Sequence, residues 1–185
     1  MRYNNKWKIS AAALFIVMSA TVRSGAQCGA VDSSSPKAVR DEVDRLFNKT
    51  LDGMEITLPS GVKATTWTGW EQATQDQISC LGTAAVSPTA DLLRITTRLF
   101  GRTLAIHMLS WEGGPEIVPP LAELLAKPED HPEKLDSVRL AAINALTAAP
   151  PDRALPVVEA VLRSEKNPDL IKAAMRVKER SQGSH

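Results

Sequence analysis

The chain has 185 residues, 43% of them apolar and 23% charged, the balance of a globular protein rather than a disordered one. Basic and acidic side chains number 22 and 21, a net charge of +1, so no overall positive field marks a nucleic-acid binder. Aromatic residues make up 4% while Ala and Leu recur, a composition suited to helix packing over sheet packing.

Residues 1–26 read as a secretory signal peptide. Arg2, Lys6 and Lys8 precede an apolar run from Ile9 to Ala20, and Ser24-Gly25-Ala26 supplies small residues before a cut at Gln27. As a helix the run would span roughly 18 Å, short of the ~30 Å hydrocarbon core. Gln27 stands before Cys28, where a lipoprotein signal needs a small residue. The expected compartment is therefore secreted or periplasmic, with no membrane anchor after cleavage. Cleavage removes four basic residues and no acid, leaving 18 basic against 21 acidic. A weakly acidic domain of this kind has no attraction for nucleic acid or anionic membranes.

Cys28 and Cys80 are the two cysteines of the chain. In an oxidising compartment an even pair more often forms a disulfide than stays reduced. Closing that loop is worth roughly 4 kcal/mol by chain entropy. A metal site is the alternative, but it needs about four ligands, and His107, His131 and His185 show no ligand spacing.

Residues 27–35 are a small, polar lead-in. Ser35-Pro36 starts a helix, and Val39, Val43, Leu46 and Phe47 give it one apolar face over 36–48; Asp52-Gly53 ends that unit. Met54–Leu58 and Val62–Trp67 flank Pro59-Ser60-Gly61, predicting a small β-hairpin near 54–67. A helix over 71–81 stops at Gly82. Ser87-Pro88 opens another, which runs to Ser110 or breaks at Gly101. Residues 27–86 thus form an N-terminal capping region.

The strongest signal is an internal repeat. RTLAIHML at 102–109 lies over RLAAINAL at 139–146, a spacing of 37 that pairs Ala105 with Ala142, Ile106 with Ile143 and Leu109 with Leu146. The same spacing carries Ile117–Leu125 onto Ala154–Leu162, with Pro119 over Pro156. A third copy from Asn167 sets Leu170, Ala173, Ala174 and Val177 against Val138, Ala141, Ala142 and Ala145, now at a spacing of 32. The difference falls in the Pro- and charge-rich connection 127–134, where an insertion costs little. Each unit pairs a helix of bulky aliphatics with one carrying adjacent alanines, which let backbones approach. Neither pair buries its apolar face alone, so units stack.

The segments DSVRLAA at 136–142 and PDLIKAA at 168–174 resemble the second-helix signature of HEAT and HEAT-like repeats: an acidic or proline turn, a Val, often an Arg, then paired alanines. Ile171 stands where Arg is usual. The resemblance covers 87–180 and implies an all-α fold, a short right-handed α-solenoid, followed by a disordered tail at 181–185.

No phosphate loop, nucleophile elbow or metalloprotease motif is present in the sequence, and no catalytic, metal or cofactor residue is assigned. His107 could serve as an acid–base group, but Asn144 holds its place one unit on, which points to a polar helix edge. Arg102 and Arg139 are equivalent; in HEAT-like folds such an arginine pairs with an acid, here Asp136. Trp67, Trp70 and Trp111 are packing residues, or interface anchors where exposed. Glu112, Glu116, Glu123, Glu129 and Asp130 form a solvated face. The implied function is a non-catalytic interaction module or scaffold that binds a protein or peptide on a curved helical surface, with Arg102, His107, Trp111, Arg139 and Asn144 as contact residues. Two alternatives are an accessory enzyme subunit, since the HEAT-like family includes the phycobilisome lyase type, and a periplasmic assembly factor.

Overall fold

A computed structural model describes residues 31–57, 63–65, 71–126 and 132–183. Among the described residues the fold is all-α apart from one short strand pair. Helix α1 spans Pro36–Met54. Ser35 Oγ accepts from the Ala38 N–H at 3.3 Å, and Val39, Val43, Leu46 and Phe47 are all buried. The helix runs past Asp52-Gly53, because a helical glycine costs only about 1 kcal/mol and the final turns are held from inside. There Thr50 donates to the Leu46 carbonyl at 2.7 Å and meets Thr74 Oγ1 at 3.0 Å. Strands β1 (Glu55–Thr57) and β2 (Lys63–Thr65) pair antiparallel, with Ile56 opposite Ala64. The connection around Pro59-Ser60-Gly61 lies outside the described residues, as do Trp67 and Trp70.

Helix α2 (Glu71–Leu81) passes through one 3-10 turn, Gly82–Ala85, directly into α3 (Val86–Ile95). Gly82 takes φ +56°, a conformation that favours glycine. Ser87-Pro88 is therefore inside the first turn of α3 rather than at its cap. Pro88 is tolerated because the N–H groups of a first turn have no helical partner.

The expected break at Gly101 lies elsewhere. Thr96 and Arg98 are extended, and α4 runs Leu99–Glu112 straight through Gly101. A Cβ on Gly101 would come within 2.4 Å of Thr96 Cγ2 and 3.4 Å of Phe47 Cζ. The glycine lets α4 fold back under the α3–α4 turn and against α1.

Gly113 and Gly114 end α4 with φ +66° and +86°, and a 3-10 turn leads into α5 (Val118–Ala126). Helix α6 spans Pro132–Ala145, α7 Pro151–Ser164 and α8 Pro168–Gln182. Helix α8 thus extends two residues beyond the expected boundary at 180, into the segment read as tail. Asn167 caps it, accepting from the Asp169 N–H at 2.9 Å.

Consecutive helices pair, α3 with α4, α5 with α6 and α7 with α8. Helix α6 also packs on both α4 and α8, while α5 packs on α7. Helices α1 and α2 cover the N-terminal side against α3 and α4. One continuous core runs between the layers through Leu104, Leu109, Leu121, Ile143, Leu146 and Leu170. Residues related by the 37-residue spacing share environments: Ala105 and Ala142, Ile106 and Ile143, and Leu109 and Leu146 are all buried.

Ala142 has no exposed surface, whereas Asn144, two residues on, faces solvent. Ala142→Leu therefore overpacks the contact and is expected to cost ~1–3 kcal/mol. Asn144→Lys is expected to cost no more than about 0.5 kcal/mol. Urea titrations of the two variants give the ranking; the reverse order would place the inward face of α6 one position wrong.

Candidate functional site

A groove of about 460 Å³ lies between α4 and α6. Ile106, Leu140, Ala141 and Ala145 give it an apolar base, and His107, Ser110, Ser137, Asn144 and Thr147 supply polar groups. Among the described residues, His107 is the one ionisable side chain lining it. The polar groups follow the repeat. Ser110 donates to the His107 carbonyl at 2.7 Å, and Thr147, 37 residues on, donates to the Asn144 carbonyl at 2.7 Å. Each hydroxyl proton is thus turned back onto its own helix, and the free lone pairs remain as acceptors beside the His107 and Asn144 side chains. The groove exists because α4 and α6 approach through small residues while these neighbours stay short.

Of the five residues expected to contact a partner, His107 and Asn144 meet in this groove. Trp111 lies one turn beyond His107, its ring centroid 6.3 Å away; it is half-buried against the core, so it packs more than it projects. The arginines fall outside the groove. Arg139 donates to Glu165 in the α7–α8 turn and lies 3.9 Å from Asp136. Asn167 extends the cluster, donating to Asp136 Oδ2 at 2.6 Å. Burial pushes the Glu165 carboxyl up, but the N–H groups of Asn167 and Lys166, followed by Arg139, bring it below the ordinary carboxylate range. The expected Arg139–Asp136 contact is present, yet the closer partner is Glu165. Arg102, one unit earlier, is half-buried and likewise engaged.

A second depression of about 460 Å³ lies between the first turns of α5 and α7, lined by the repeated Pro119 and Pro156 and by Asp152 and Arg153. Those two charges pair with each other at 3.6 Å; Glu116, 37 residues before Arg153, also lines the depression, and among the described residues no hydroxyl or amide side chain does.

The acids do not form one solvated face. Glu116 is exposed, and Glu123 pairs with Arg94 at 3.0 Å. Glu129 and Asp130 lie outside the described residues. Glu112, at the end of α4, turns inward: its Oε2 is buried with no hydrogen-bond partner, and its Oε1 lies 3.0 Å from Thr89 Oγ1. That hydroxyl also lies 2.8 Å from the Ala85 carbonyl. It has one proton, so if it donates to Ala85 the contact with Glu112 needs a proton on the carboxyl. Burial pushes the carboxyl up to about 8, against a smaller opposing effect of Thr89. The repeat carried a signal for this: Ala149, buried, holds the place of Glu112 one unit on.

No cluster of three or more His, Cys, Asp or Glu side chains suited to a metal is found among the described residues. Nor is any described helix long and apolar enough to cross a membrane. Cys80, half-buried on α2, is not a free thiol; Cys28 lies outside the described residues. Comparison with known proteins finds no matching family model, curated protein or solved structure.

Glu112 links stability to pH. Unfolded, its carboxyl ionises near 4.5; folded, only near 8. Between those values the unfolded chain has released a proton that the folded chain keeps, so this group's contribution to stability falls as pH rises through the window. At ~1.4 kcal/mol per pH unit, the loss reaches a few kcal/mol by pH 8. Glu112→Gln removes it. Urea titrations at pH 5 and pH 8 are expected to show the variant gaining on the parent at pH 8; an equal difference at both would mean that Glu112 ionises normally.

Proposed function

We propose that this chain is a secreted or periplasmic, non-catalytic interaction module: a short right-handed HEAT-like solenoid whose second helices, α4, α6 and α8, hold an extended segment of a protein partner. The observation that carries this reading is the α4–α6 groove, where hydrogen-bonding side chains recur at the repeat spacing above an apolar base. An extended chain presents N–H and C=O groups along its edges and side chains to alternate faces. The Asn144 amide can both donate and accept, so it suits a peptide bond. The apolar base suits the intervening side chain.

The test uses the mature protein and random dodecapeptides displayed on phage. Selected peptides are expected to lose at least about tenfold in affinity on Asn144→Lys, which places an unpaired cation in the groove. Thermal unfolding of the variant, unchanged, shows that the loss is local. Peptides that bind parent and variant equally, or the absence of any binder, would remove the groove from the function.

The secretory reading makes a second expectation. Intact mass of exported material should start at Gln27, with both cysteines joined as Cys28–Cys80. Cys80→Ser is expected to lower stability by about 2–5 kcal/mol, as for a native bridge in a small secreted domain. Retention of Met1, or two thiols titrating in unreduced denatured protein, would overturn this part.

A further inference from the structure

The second-helix face changes chemistry between α6 and α8. The 32-residue register sets Val138, Ala142 and Ala145 over Leu170, Ala174 and Val177, and all six are buried. That register also sets Leu140 over Lys172 and Asn144 over Arg176. Because α8 packs against the flank of α6 opposite α4, Lys172 and Arg176 continue the face on which the groove lies. Both are exposed. Neither takes part in an ion pair or hydrogen bond among the described residues, although Asp169 and Glu179 stand three residues away from them on α8.

Two like charges four residues apart on a helix repel, and an anion seated between them relieves the repulsion. Asp169 and Glu179 flank the pair, and Arg180 on the following turn is itself engaged, so the unpaired positive zone is one turn long. That geometry disfavours a polyanion such as nucleic acid, whose neighbouring phosphates would meet Asp169 and Glu179. We infer that the bound segment carries one acidic side chain, Asp or Glu, which sits between Lys172 and Arg176. This rests on the reading that the second-helix face holds an extended segment. Packed helices lie about 8–10 Å apart and an extended chain rises about 3.3 Å per residue. The carboxylate therefore falls about four residues along from the residue seated over the α4–α6 groove, and the segment runs in one direction across α4, α6 and α8.

The experiment measures fluorescence anisotropy with fluorescein-labelled dodecapeptides selected from the phage library on the parent protein. The expected result is an Asp or Glu enriched at one position, about four residues from an apolar, uncharged stretch. Affinity should fall about tenfold with Lys172→Glu and Arg176→Glu together, fall similarly when the peptide's acid becomes its amide, and weaken as salt rises. A peptide with Lys at that position should recover binding to the doubly substituted protein. Circular dichroism of that protein, unchanged, excludes misfolding as the cause. Peptides that lose binding on Asn144→Lys yet show no acidic position, or that bind the charge-reversed protein as tightly, would overturn the carboxylate inference alone. Peptides indifferent to all three substitutions, or no peptides at all, would overturn the groove reading with it.

Discussion

Two helix backbones approach closely only where the side chains between them are small, and the architecture of this protein depends on where that happens. Ala105 in α4, Ala142 in α6 and the adjacent Ala173 and Ala174 in α8 have no exposed surface. Interiors are packed near crystal density, so even one added methylene at such a contact must move a helix. Helix α6 lies against α4 on one flank and α8 on the other. The spacing fixed at its alanines therefore sets the width of the α4–α6 groove and the position of α8 relative to it.

Polar contacts then lock the units in register. The Gly114 N–H donates to the Ala148 carbonyl at 3.2 Å, joining the end of α4 to the end of α6; its φ of +86° is open to glycine and strained for other residues. On the next seam, Arg139 and Asp136 reach Glu165 and Asn167. A backbone hydrogen bond and a charge-assisted one have strict geometry, so they specify register where apolar packing alone would allow sliding. Glu112 works the other way. A carboxyl held buried at the end of a helix, beside one shared hydroxyl, weakens the fold as it approaches ionisation.

What could be read from the chain alone divides along physical lines. Helix positions follow from local periodicity, and the repeat places Ala142, Ile143 and Leu146 in the core before any coordinates are considered. The meaning of Gly101 was not local. It marks a close approach to Phe47, 54 residues earlier in the chain, and to Thr96, and a lone glycine in a helical pattern signals a break as readily as a contact. Arg139 has an acid three residues away, which a local reading finds, but the closer partner is Glu165, 26 residues on. The groove belongs to neither helix. His107 and Asn144 could be nominated by their shared repeat position, whereas Ser110 and Thr147 joined them only once both hydroxyls were seen bonded to equivalent carbonyls.

The repeat also separates what holds the protein together from what distinguishes one unit from the next. Positions where the units agree, such as Ala105 with Ala142 and Leu109 with Leu146, are buried. Two rows where they differ reach solvent on the second helices, Thr103, Leu140 and Lys172 in one and His107, Asn144 and Arg176 in the other, whereas Met108, Ala145 and Val177 differ within the core. A core position can vary only within a volume, so packing forces likeness there, while an exposed position is free of that constraint. Helices α4, α6 and α8 therefore present a hydroxyl, an aliphatic and a cation in one row, and an imidazole, an amide and a guanidinium in the next. In the proposed binding mode, a segment crossing them would meet different chemistry at each step and could not reverse without losing its match. Specificity in that mode would come from the order of unlike side chains, because buried positions beneath them, such as Ala105 and Ala142, are alike.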